Sequence, residues 1–472
     1  MTSLMPALRV MKFGGTSVGD PDRMAATAAI IRRHAVEGQL VVVVSAMRQV
    51  TASLVAAANS ASRRDTEEWQ AIGEELKRRH HEVCEALVSA EERQTIQAQL
   101  DAEMSTFKDF CVGFSLVREL TPRSLDSLSS LGEVMSAILL AAVLRASGLD
   151  AVAVDATEVI ETDEGFGNAS LLFEPTNEKV RRRLVPLLQR RSIPVVTGFR
   201  AATADGSCTT LGRGGSDYSA TILGAAIPAH EIWIWTDVDG MMTADPRLVP
   251  EARVIPELSY REAIELSFFG ARVLHPKALD LPFLAGIPVL IKNSFNPTAT
   301  GTEIGRSKKR LPGVRALAST AEASLFTVSG TRSMPFTRLA AQVFGALDAD
   351  RISTLVVTQS SAENVISFVV NSTDAAQVRR RLDRERGSLR GGSSIAAVEE
   401  LPEVGVVVAV GEGMKGTPGI AARIFSSIAR LGINIAAIAQ GSSELSVSLV
   451  VNASDVPSAV RAMHQEFGLY RS

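Results

Sequence analysis

The chain has 472 residues, more than a single ordinary core accommodates, so about two to four domains are expected. It is 46% hydrophobic and 21% charged, with a net charge of −3 at pH 7, which is typical of a globular protein. Because there is no basic excess, we expect neither a nucleic-acid partner nor a membrane partner.

Cysteine usage and the N-terminus bear on the cellular compartment. Cys84, Cys111 and Cys208 are odd in number and widely spaced, which disfavours a disulfide framework and a zinc site. The N-terminal residues lack the apolar core of a signal peptide, and no apolar run is expected to approach the ~18 residues of a membrane helix. We therefore expect a cytoplasmic protein.

The first predicted elements, between residues 9 and 45, are a strand, a glycine turn, a helix and a strand. In "RVMKFGGTSVGDPDR", Lys12 lies before Gly14 and Gly15, whereas the lysine of a P-loop follows its glycines. Backbone N–H groups of such a turn bind phosphate well, so this turn is a candidate phosphate site of another kind. The alternative is a tight strand-to-helix turn with an incidental lysine.

A long, charged helical segment is predicted at 60–130, as a lid or an interface element. Its paired histidines, His80 and His81, are expected to face solvent. Strand–helix alternation then returns, from "SLGEVMSAILLAAVLRASG" to "IPVVTGF". This pattern predicts an α/β architecture with a mostly parallel sheet, in which ligands bind at the carboxyl ends of the strands.

A second glycine cluster, "GRGGSD" at 212–217, opens a further predicted helix. Gly214, Gly215 and Ser216 are candidate phosphate donors, and Arg213 presents a planar fork that suits a carboxylate. A third segment, "WTDVDGMMTADPRLVP", follows another strand and offers acids and an arginine to a nucleotide pocket. Two glycine turns and an acidic strand end in one sheet indicate a nucleotide site more strongly than either turn alone.

An internal repeat begins after about residue 315. "LAAQVFGALDADRIST" (339–354) aligns with "IAARIFSSIARLGINI" (420–435), and "TQSSAENVISFVVN" (358–371) aligns with "AQGSSELSVSLVVN" (439–452) at the same offset. Each unit reads strand–helix–strand–strand. Paired small α+β units at the end of an enzyme indicate a regulatory module, and the alternative is a structural dimerisation appendage.

Motifs spread over nearly the whole chain resemble the aspartokinases of the amino-acid kinase superfamily. They are "KFGGTSV", "SAM…VT", "GE.MSA", "TD..FG.A", "TTLGRGGSDYSA", "TDVDG…TADPR", "SYREAIELSFFGARVLHP" and "IPVLIKN…GT.I". The resemblance implies an amino-acid kinase fold, a mostly parallel sheet sandwiched by helices, in residues 1–315. Two α+β ACT (ferredoxin-like) domains are then expected at 316–400 and 401–472.

The resemblance also implies residue roles. Lys12, oriented by Asp217, is expected to neutralise charge on the transferring phosphoryl group, which makes both residues catalytic. Glu133 is expected to bind the substrate α-ammonium and Arg213 its α-carboxylate, with Ser45 and Thr51 also on the substrate. The expected nucleotide-binding residues are Gly14, Gly15, Ser17, Gly214, Gly215, Ser216, Thr236, Asp237, Met242, Asp245, Arg247 and Arg272.

Structural alternatives stay open for three of these residues. Glu133 also suits a helix N-terminus, Asp217 suits an N-cap, and Met242 suits core packing as well as ring stacking. The β-carboxylate of aspartate has a reference pKa near 3.9, so this nucleophile is ionised at pH 7. Phosphoryl transfer to it therefore requires no general base, in agreement with motifs that assign no catalytic role to histidine.

The chain departs from the family pattern near the expected substrate and nucleotide. Arg48, Gln49 and Ala52 replace the small pair and the acid or amide of the substrate loop. Arg272 stands where the family has a lysine that contacts the nucleotide, and the two side chains are not interchangeable at a tight phosphate contact. These departures put the substrate loop and the assignment of Thr51 in question.

The two repeats differ in their effector loops. In the first repeat, Arg332 and Pro335 replace two glycines; arginine disfavours positive φ and proline has no N–H, so we expect this site to be altered or lost. The second repeat keeps the family pattern around Met414. Gln359 and Gln440 match the glutamines that bind threonine in threonine-sensitive enzymes. Threonine is the first expected effector and lysine the second.

The sequence thus predicts an ATP:L-aspartate 4-phosphotransferase, which catalyses the entry step of lysine, threonine and methionine synthesis. We expect ATP with Mg²⁺ as its nucleotide, no tightly bound cofactor, no protein metal ligands, and a homodimer or larger homo-oligomer. "GEGMKGTPGIAARIF" is most similar to the aspartokinase half of bifunctional aspartokinase–homoserine dehydrogenases, and a monofunctional chain is expected. The rivals are another amino-acid or carboxylate kinase, and a degenerate kinase domain acting as an amino-acid sensor.

Overall fold

The computed structural model describes residues 7–270, 273–306, 312–331, 335–360, 362–387 and 394–471, which form two compact units. The first unit is Met1–Met241, Pro256–Tyr260 and Val273–Arg306, and the second is Met242–Ile255, Arg261–Arg272 and Ser307–Ser472. Segments 242–255 and 261–272 therefore group with the C-terminal repeats, which differs from the predicted division at residue 315.

Strands and helices alternate through the first unit and up to its border. They are β1 (Leu8–Phe13), α1 (Pro21–Ala35), β2 (Gln39–Val44), α2 (Val50–Ser62), α3 (Thr66–Leu87), α4 (Ala90–Val117), α5 (Pro122–Ser129), α6 (Leu131–Ala146), β3 (Ala151–Val154), α7 (Phe173–Gln189), β4 (Ile193–Thr197), β5 (Arg200–Ala202), β6 (Cys208–Thr210), α8 (Gly215–Ala226), β7 (Glu231–Thr236), β8 (Glu257–Ser259), α9 (Tyr260–Phe268), α10 (Lys277–Ala285), β9 (Val289–Asn293) and β10 (Thr302–Gly305).

A mostly parallel sheet organises the first unit, in the order β3-β4-β2-β1-β7-β9-β10-β8. β1 is parallel to both β2 and β7, whereas β9 and β10 pair in antiparallel fashion. Phe13, at the end of β1, lies opposite Val44 of β2 and Trp235 of β7. The residues that follow these three strands therefore meet at one edge of the sheet, where a parallel sheet binds its ligands.

The segment predicted as helical at 60–130 consists of the end of α2 together with α3, α4 and α5. Its helices share one hydrophobic core with α1 and α6, in which Trp69 and Phe107 are buried. His80 is buried as well, contrary to prediction: its Nδ1 lies 2.7 Å from the Leu76 carbonyl oxygen, and burial lowers its pKa to about 4. The spacing of Trp69, Leu76 and His80 along α3 places all three on one inward face.

Within the described residues, one helical run, Pro122–Ala146, is long and apolar enough to cross a membrane by length and composition alone. The sequence prediction that no apolar run approaches this length was therefore wrong. The run comprises α5 and α6, and 83% of its apolar window is buried inside the protein. It packs in the core shared with α1 and α3, so its apolar composition has a structural reason.

The second unit is dominated by a sheet in the order β12-β13-β11-β14-β16-β15. Its elements are β11 (Ala316–Gly330), α11 (Phe336–Ala349), β12 (Val356–Ser360), β13 (Val365–Asn371), α12 (Ser372–Gly387), β14 (Ile395–Val410), α13 (Ile420–Ala429), β15 (Ala437–Gln440), β16 (Ser446–Asn452) and α14 (Val456–Glu466). Each repeat therefore continues into a helix, α12 or α14, that the strand–helix–strand–strand prediction did not contain.

The long strands β11 and β14 run through both repeats. Residues 316–320 pair with 406–410, whereas residues 323–329 pair with 397–404. Two separate cores result, one around Phe326 and Phe368 and the other around Leu317, Val407 and Leu449. Residues 316–320, predicted as part of the first repeat, thus complete the second, and the first repeat is an insertion within it.

Candidate active site

A cavity of about 310 Å³ lies at the carboxyl edge of the parallel sheet in the first unit. All of the predicted catalytic and substrate-binding residues line it, together with the second glycine cluster. The lining residues are Lys12, Ser45, Ala46, Thr51, Glu133, Phe199, Gly212, Arg213, Gly214, Gly215, Ser216 and Asp217. The structure thus brings together residues that lie far apart in the sequence.

Lys12 and Asp217 form an ion pair at one wall of the cavity. Lys12 Nζ lies 2.5 Å from Asp217 Oδ1, and each residue is 8% exposed. Lys12 is held on the central strand β1, whose neighbouring residues are buried, and Asp217 lies in the first turn of α8. Because both groups sit on rigid elements, the ammonium group has a fixed position at the strand end.

The first glycine turn packs closely against the residues that follow β2. A Cβ atom on Gly15 would lie 2.7 Å from the Ala46 carbonyl oxygen, so no larger residue fits there. The Gly14 N–H donates to the Trp235 carbonyl at 3.2 Å. Gly14 was predicted to present this N–H to phosphate, and the hydrogen bond shows that the group is already engaged.

Ser17 was predicted to contact the nucleotide, but its side chain is only 1% exposed. Its Oγ lies 2.8 Å from Ser294 Oγ, and Ser294 donates to the Thr236 carbonyl. This pair ties the first glycine turn to the end of β7. Ser17 is therefore buried against Ser294 and is not among the residues that line the cavity.

The second glycine cluster forms the start of α8. Gly214 is the N-cap and has φ of 71°, a left-handed conformation that favours glycine, and a Cβ there would lie 2.3 Å from His275 Cβ. The Gly215 N–H donates to the Gly212 carbonyl at 3.0 Å and is therefore engaged, contrary to prediction. Ser216, in contrast, lies in the first turn, where N–H groups have no intrahelical acceptor.

Glu133 is a buried carboxylate that faces the cavity. It is 3% exposed, and its Oε2 has no hydrogen-bond partner among the described residues. Burial raises its pKa to about 8, against the opposing effect of backbone hydrogen bonds from Ala46 and from its own residue. A cationic partner strongly stabilises the ionised form of a buried carboxylate whose oxygen is unpaired. The ammonium group of an amino acid is such a partner.

Arg213 lies across the same cavity and is exposed. Among the described residues, its guanidinium group makes no hydrogen bond or ion pair, so its planar fork is available to a ligand carboxylate. The cavity therefore presents one anionic and one cationic group together with the Lys12 ammonium. This combination suits an α-amino acid that reacts with a phosphoryl group.

The substrate loop holds one of the departures from the family pattern in a glycine-like conformation. Gln49 has φ of 69° and precedes α2, which carries Thr51. The Arg48 carbonyl accepts a hydrogen bond from Arg79 at 2.9 Å. Thr51 lines the cavity although larger side chains precede it in this loop.

Two residues next to this site were not singled out from the sequence. Phe199 lines the cavity with φ of 65°, and its only sequence signal is its position just after β4. His275 packs against Gly214; burial and the nearby Arg213 charge lower its pKa. His275 lies in the quoted "GARVLHP" motif, but the motif alone does not show which chain segment it contacts.

Comparisons with known proteins agree with this geometry. The amino acid kinase family model matches residues 7–293, and the ACT domain model matches 327–385 and 407–467. Aspartokinase 2, chloroplastic, of Arabidopsis thaliana is 34% identical over 97% of this chain and 84% of the relative. The chain belongs to the aspartokinase family. The resemblance and the fold predicted from the motifs are thereby confirmed.

Solved aspartokinase structures align over the same length. The crystal structure of E. coli aspartokinase III in complex with aspartate and ADP has a TM-score of 0.86 and 29% identity, covering 98% of this chain and 100% of that chain. Bifunctional aspartokinase/homoserine dehydrogenase 1, chloroplastic, of Arabidopsis thaliana is 35% identical over 98% of this chain. This chain spans 51% of that bifunctional relative, about half of its length.

The residues predicted to bind nucleotide divide between the two units of this aspartokinase family member. Thr236 and Asp237 lie in the first unit at the end of β7, at the same sheet edge as Lys12. Met242, Asp245 and Arg247 belong to the second unit, where Asp245 accepts three hydrogen bonds from the Arg247 side chain. Arg272 lies outside the described residues. The nucleotide-binding roles of these six residues stay predictions.

The predicted effector residues lie in the second unit. Gln359 is on β12 and Gln440 is on β15, the two edge strands of the sheet. Met414 is 4% exposed and packs in the core of the second repeat, so its side chain is not available to an effector, contrary to prediction. Arg332 lies outside the described residues, and the loss of the first effector site stays a prediction.

Proposed function

We propose that the chain is an aspartate kinase, which transfers the γ-phosphoryl group of ATP to the β-carboxylate of L-aspartate and gives 4-phospho-L-aspartate. The observation that carries the proposal is the unpaired Oε2 of the buried Glu133 in one cavity with Arg213 and Lys12. The E. coli aspartokinase III structure in complex with aspartate and ADP supports the same substrates.

Substrate binding follows from the charges around the cavity. Glu133 receives the α-ammonium group, which supplies the missing partner of its buried carboxylate. Arg213 clamps the α-carboxylate through its planar fork, and Ser45 and Thr51, which line the same cavity, hydrogen-bond the substrate. With both α-substituents held, the side-chain carboxylate of aspartate is left to react.

The transfer itself requires alignment and charge neutralisation rather than proton transfer. A bond forms between the γ-phosphorus and a β-carboxylate oxygen, the bond to the bridging oxygen breaks, and ADP leaves. Lys12, oriented by Asp217, neutralises charge that develops on the phosphoryl oxygens, and the first turn of α8 adds N–H dipoles. Mg²⁺ supplies further neutralisation when it is bound to the nucleotide phosphates.

In this proposal Mg²⁺ arrives with the nucleotide. Within the described part of the chain, no group of three or more His, Cys, Asp or Glu residues is arranged to hold a metal ion. Asp237, exposed at the end of β7, is the acid at the sheet edge through which the first unit would contact such a complex. We include no transfer step that depends on a protein metal ligand.

Regulation by an amino acid forms part of the proposal. The ACT domain matches and the E. coli aspartokinase III structure in complex with lysine and aspartate support an effector site. Threonine, or else lysine, is expected to act through the edge strands that carry Gln359 and Gln440. We further propose a cytoplasmic homodimer or larger homo-oligomer that feeds lysine, threonine and methionine synthesis.

Aspartate-dependent ADP release from MgATP tests the proposed function. The wild-type chain should require aspartate, and glutamate should be tested at high concentration because one methylene is worth only about 10–200-fold in selectivity. Turnover that prefers another carboxylate would assign the chain to another kinase of the superfamily. Effector binding without any ADP release would assign it to the sensor class.

A lysine variant tests the role of Lys12. Lys12→Met should lower kcat by about 100-fold or more, because a fixed positive charge at the phosphoryl group is lost. Lys179→Met is the matched control, since it removes an ion pair with Glu161 away from the cavity. Equal kcat values in the two variants would contradict the assignment of Lys12.

A further inference from the structure

Asp126 is a buried carboxylate next to the cavity, and the mechanism above does not use it. It is 3% exposed and lies in α5. Its Oδ2 accepts hydrogen bonds from the Gly167 N–H at 2.8 Å and the Thr210 N–H at 3.0 Å, and its Oδ1 accepts one from Thr210 Oγ1 at 2.7 Å. All three of these groups are donors, so the site specifically requires an acceptor on both oxygens.

The backbone of Asp126 is tied to the helix that carries Glu133. Ser130 Oγ donates to the Asp126 carbonyl oxygen at 2.8 Å, at the junction between α5 and α6. Glu133 follows in the first turn of α6. Asp126 is therefore connected to the anionic wall of the cavity through a short, buried and hydrogen-bonded stretch of helix.

The side chain of Asp126 holds the opposite, cationic wall. Thr210 is the last residue of β6 and precedes the turn that presents Arg213. The Thr210 carbonyl also accepts a hydrogen bond from the Ala169 N–H at 2.9 Å. This strand end is therefore hydrogen-bonded both to Asp126 and to the loop that contains Ala169. Asp126 thus bonds directly to the strand from which the Arg213 turn begins.

The loop around Gly167 forms the third contact of this network. A Cβ atom on Gly212 would lie 2.5 Å from Asn168 Oδ1, so this loop abuts the turn just before Arg213. Since the Gly167 N–H donates to Asp126, the carboxylate fixes the loop and the strand against each other. Burial raises the pKa of Asp126, and its three donors oppose that rise by stabilising the ionised form.

We propose that Asp126 is a positioning residue that sets the separation of Glu133 and Arg213, and thereby the affinity and alignment of the amino-acid substrate. This inference rests on the proposed function. Loss of the Asp126 hydrogen bonds leaves both walls intact but lets them shift relative to each other, so the ammonium and carboxylate groups of aspartate are no longer matched at once. The nucleotide side of the cavity is not tied by this carboxylate.

Steady-state kinetics of two variants test the proposal. Asp126→Asn places an amide donor opposite N–H or O–H donors, and it should raise the KM for aspartate by about 10–100-fold, the range for lost hydrogen bonds to a charged group. The KM for MgATP should stay within about twofold. Because KM does not depend on the amount of folded enzyme, this split separates positioning from a loss of stability.

Matched substitutions isolate the bond to Thr210. Thr210→Val removes the hydroxyl donor and should raise the KM for aspartate by several-fold, whereas Thr210→Ser keeps both donors and should restore the wild-type value. Asp163→Asn is a control for the aspartate KM within the same 163–170 loop, because its carboxylate accepts only from Gly165 and Ser170 among the hydrogen bonds of the described residues. If Asp126→Asn does not fold, the Val and Ser variants at position 210 carry the test.

Hydrogen exchange supplies a readout that does not need kinase activity. In Asp126→Asn, peptides covering 163–170 and 208–214 should exchange faster than in the wild type, and those in α1 should not. An unchanged aspartate KM together with unchanged exchange would overturn the positioning role. A wild-type chain that releases no ADP with aspartate would instead overturn the proposed function, whereas the exchange result still decides whether Asp126 joins the two walls.

Discussion

Glu133 places a carboxyl group in the buried wall of the cavity, and this makes substrate binding sensitive to pH. Its pKa is raised to about 8 by burial, so the ionised form that attracts an ammonium group is the minor form in the free protein below pH 8. The KM for aspartate should therefore fall as the pH rises from 6 to 8, by at most about tenfold per pH unit. Initial rates at fixed saturating MgATP measure this dependence.

A variant assigns that pH dependence to Glu133. Glu133→Gln should bind aspartate about 10–100-fold more weakly at pH 8 and should lose the dependence of KM on pH. Glu161→Gln, which removes a carboxylate paired with Lys179 outside the cavity, is the control and should keep it. A KM for aspartate that still falls between pH 6 and 8 in Glu133→Gln would assign the titration to another group.

The burial of Glu133 also makes the stability of the protein depend on pH. The pKa of Glu133 is raised in the folded state above the reference value of 4.5, so folding favours its protonated form. Its contribution to the free energy of unfolding therefore falls as the pH rises from about 4.5 to 8. Glu133→Gln should be more stable than the wild type at pH 8.5, by on the order of a few kcal/mol, in urea unfolding. Equal stabilities at pH 8.5 would contradict this.

At the level of residues, the sequence correctly located side chains that lie at the end of a strand or at the start of a helix. Lys12, Glu133 and Arg213 follow from such positions, and they meet in one cavity. Ser17 and Met414 did not take their predicted places, because a motif specifies residue type but not the direction in which a side chain points. Burial decides that direction, and it depends on partners that are distant in sequence.

At the level of elements, the entry to α8 depends on glycine for two separate reasons. Gly214→Ala should lower the free energy of unfolding by about 3 kcal/mol or more, since it combines positive φ with a Cβ 2.3 Å from His275 Cβ. Gly206→Ala is the matched control, because Gly206 has φ of 85° and open space around its Cβ, so only about 1–2 kcal/mol of strain is expected.

Activity distinguishes these two glycine variants further. Gly214→Ala should also reduce kcat, because the first turn of α8 carries Asp217 and faces the cavity, whereas Gly206→Ala should keep the wild-type kcat. Urea unfolding and ADP release on the same preparations check both expectations. Equal losses of stability in the two variants would show that strain rather than the contact with His275 dominates.

The parallel sheet was predictable because its strands are continuous apolar runs, of which "QLVVVV" in β2 is an example. Helix α12 was not, because it buries only Ala375, Val378 and Leu382 and is otherwise strongly polar. The aligned parts of the repeats end at the strands β13 and β16. Without sequence similarity beyond that point, the repeat did not indicate that a helix follows in both copies.

At the level of the whole molecule, segment 242–255 is folded with the repeats. Ala244 and Val249 are buried in the core of the second repeat beside Met463. Thr243 Oγ1 lies 3.0 Å from Nε2 of the buried His464, and the Thr243 carbonyl accepts from the Leu317 N–H. The segment thus depends on residues of β11 and α14, which come about 60 and 200 residues later in the chain.

Truncation tests this dependence. A chain that ends at residue 315 should be cleaved by protease within 242–255, because the apolar side chains of that segment lose their core, whereas the full chain should be protected there. Limited proteolysis followed by mass spectrometry measures the cleavage sites. Equal protection in both chains would show that the segment folds without the repeats.

Because β11 and β14 run through both repeats, the first repeat could be removed without breaking the pairing of the second. Its two ends leave the sheet side by side, since Thr320 pairs with Val406 and Ala323 pairs with Val404. A short turn that joins these neighbouring strands would therefore close the second repeat as an uninterrupted hairpin, without any change to its own core. A chain without the first repeat can in this way be obtained by one internal excision, while α14 keeps its place in the second repeat. The two repeats are therefore nested, with the first lying inside the second, rather than consecutive along the chain.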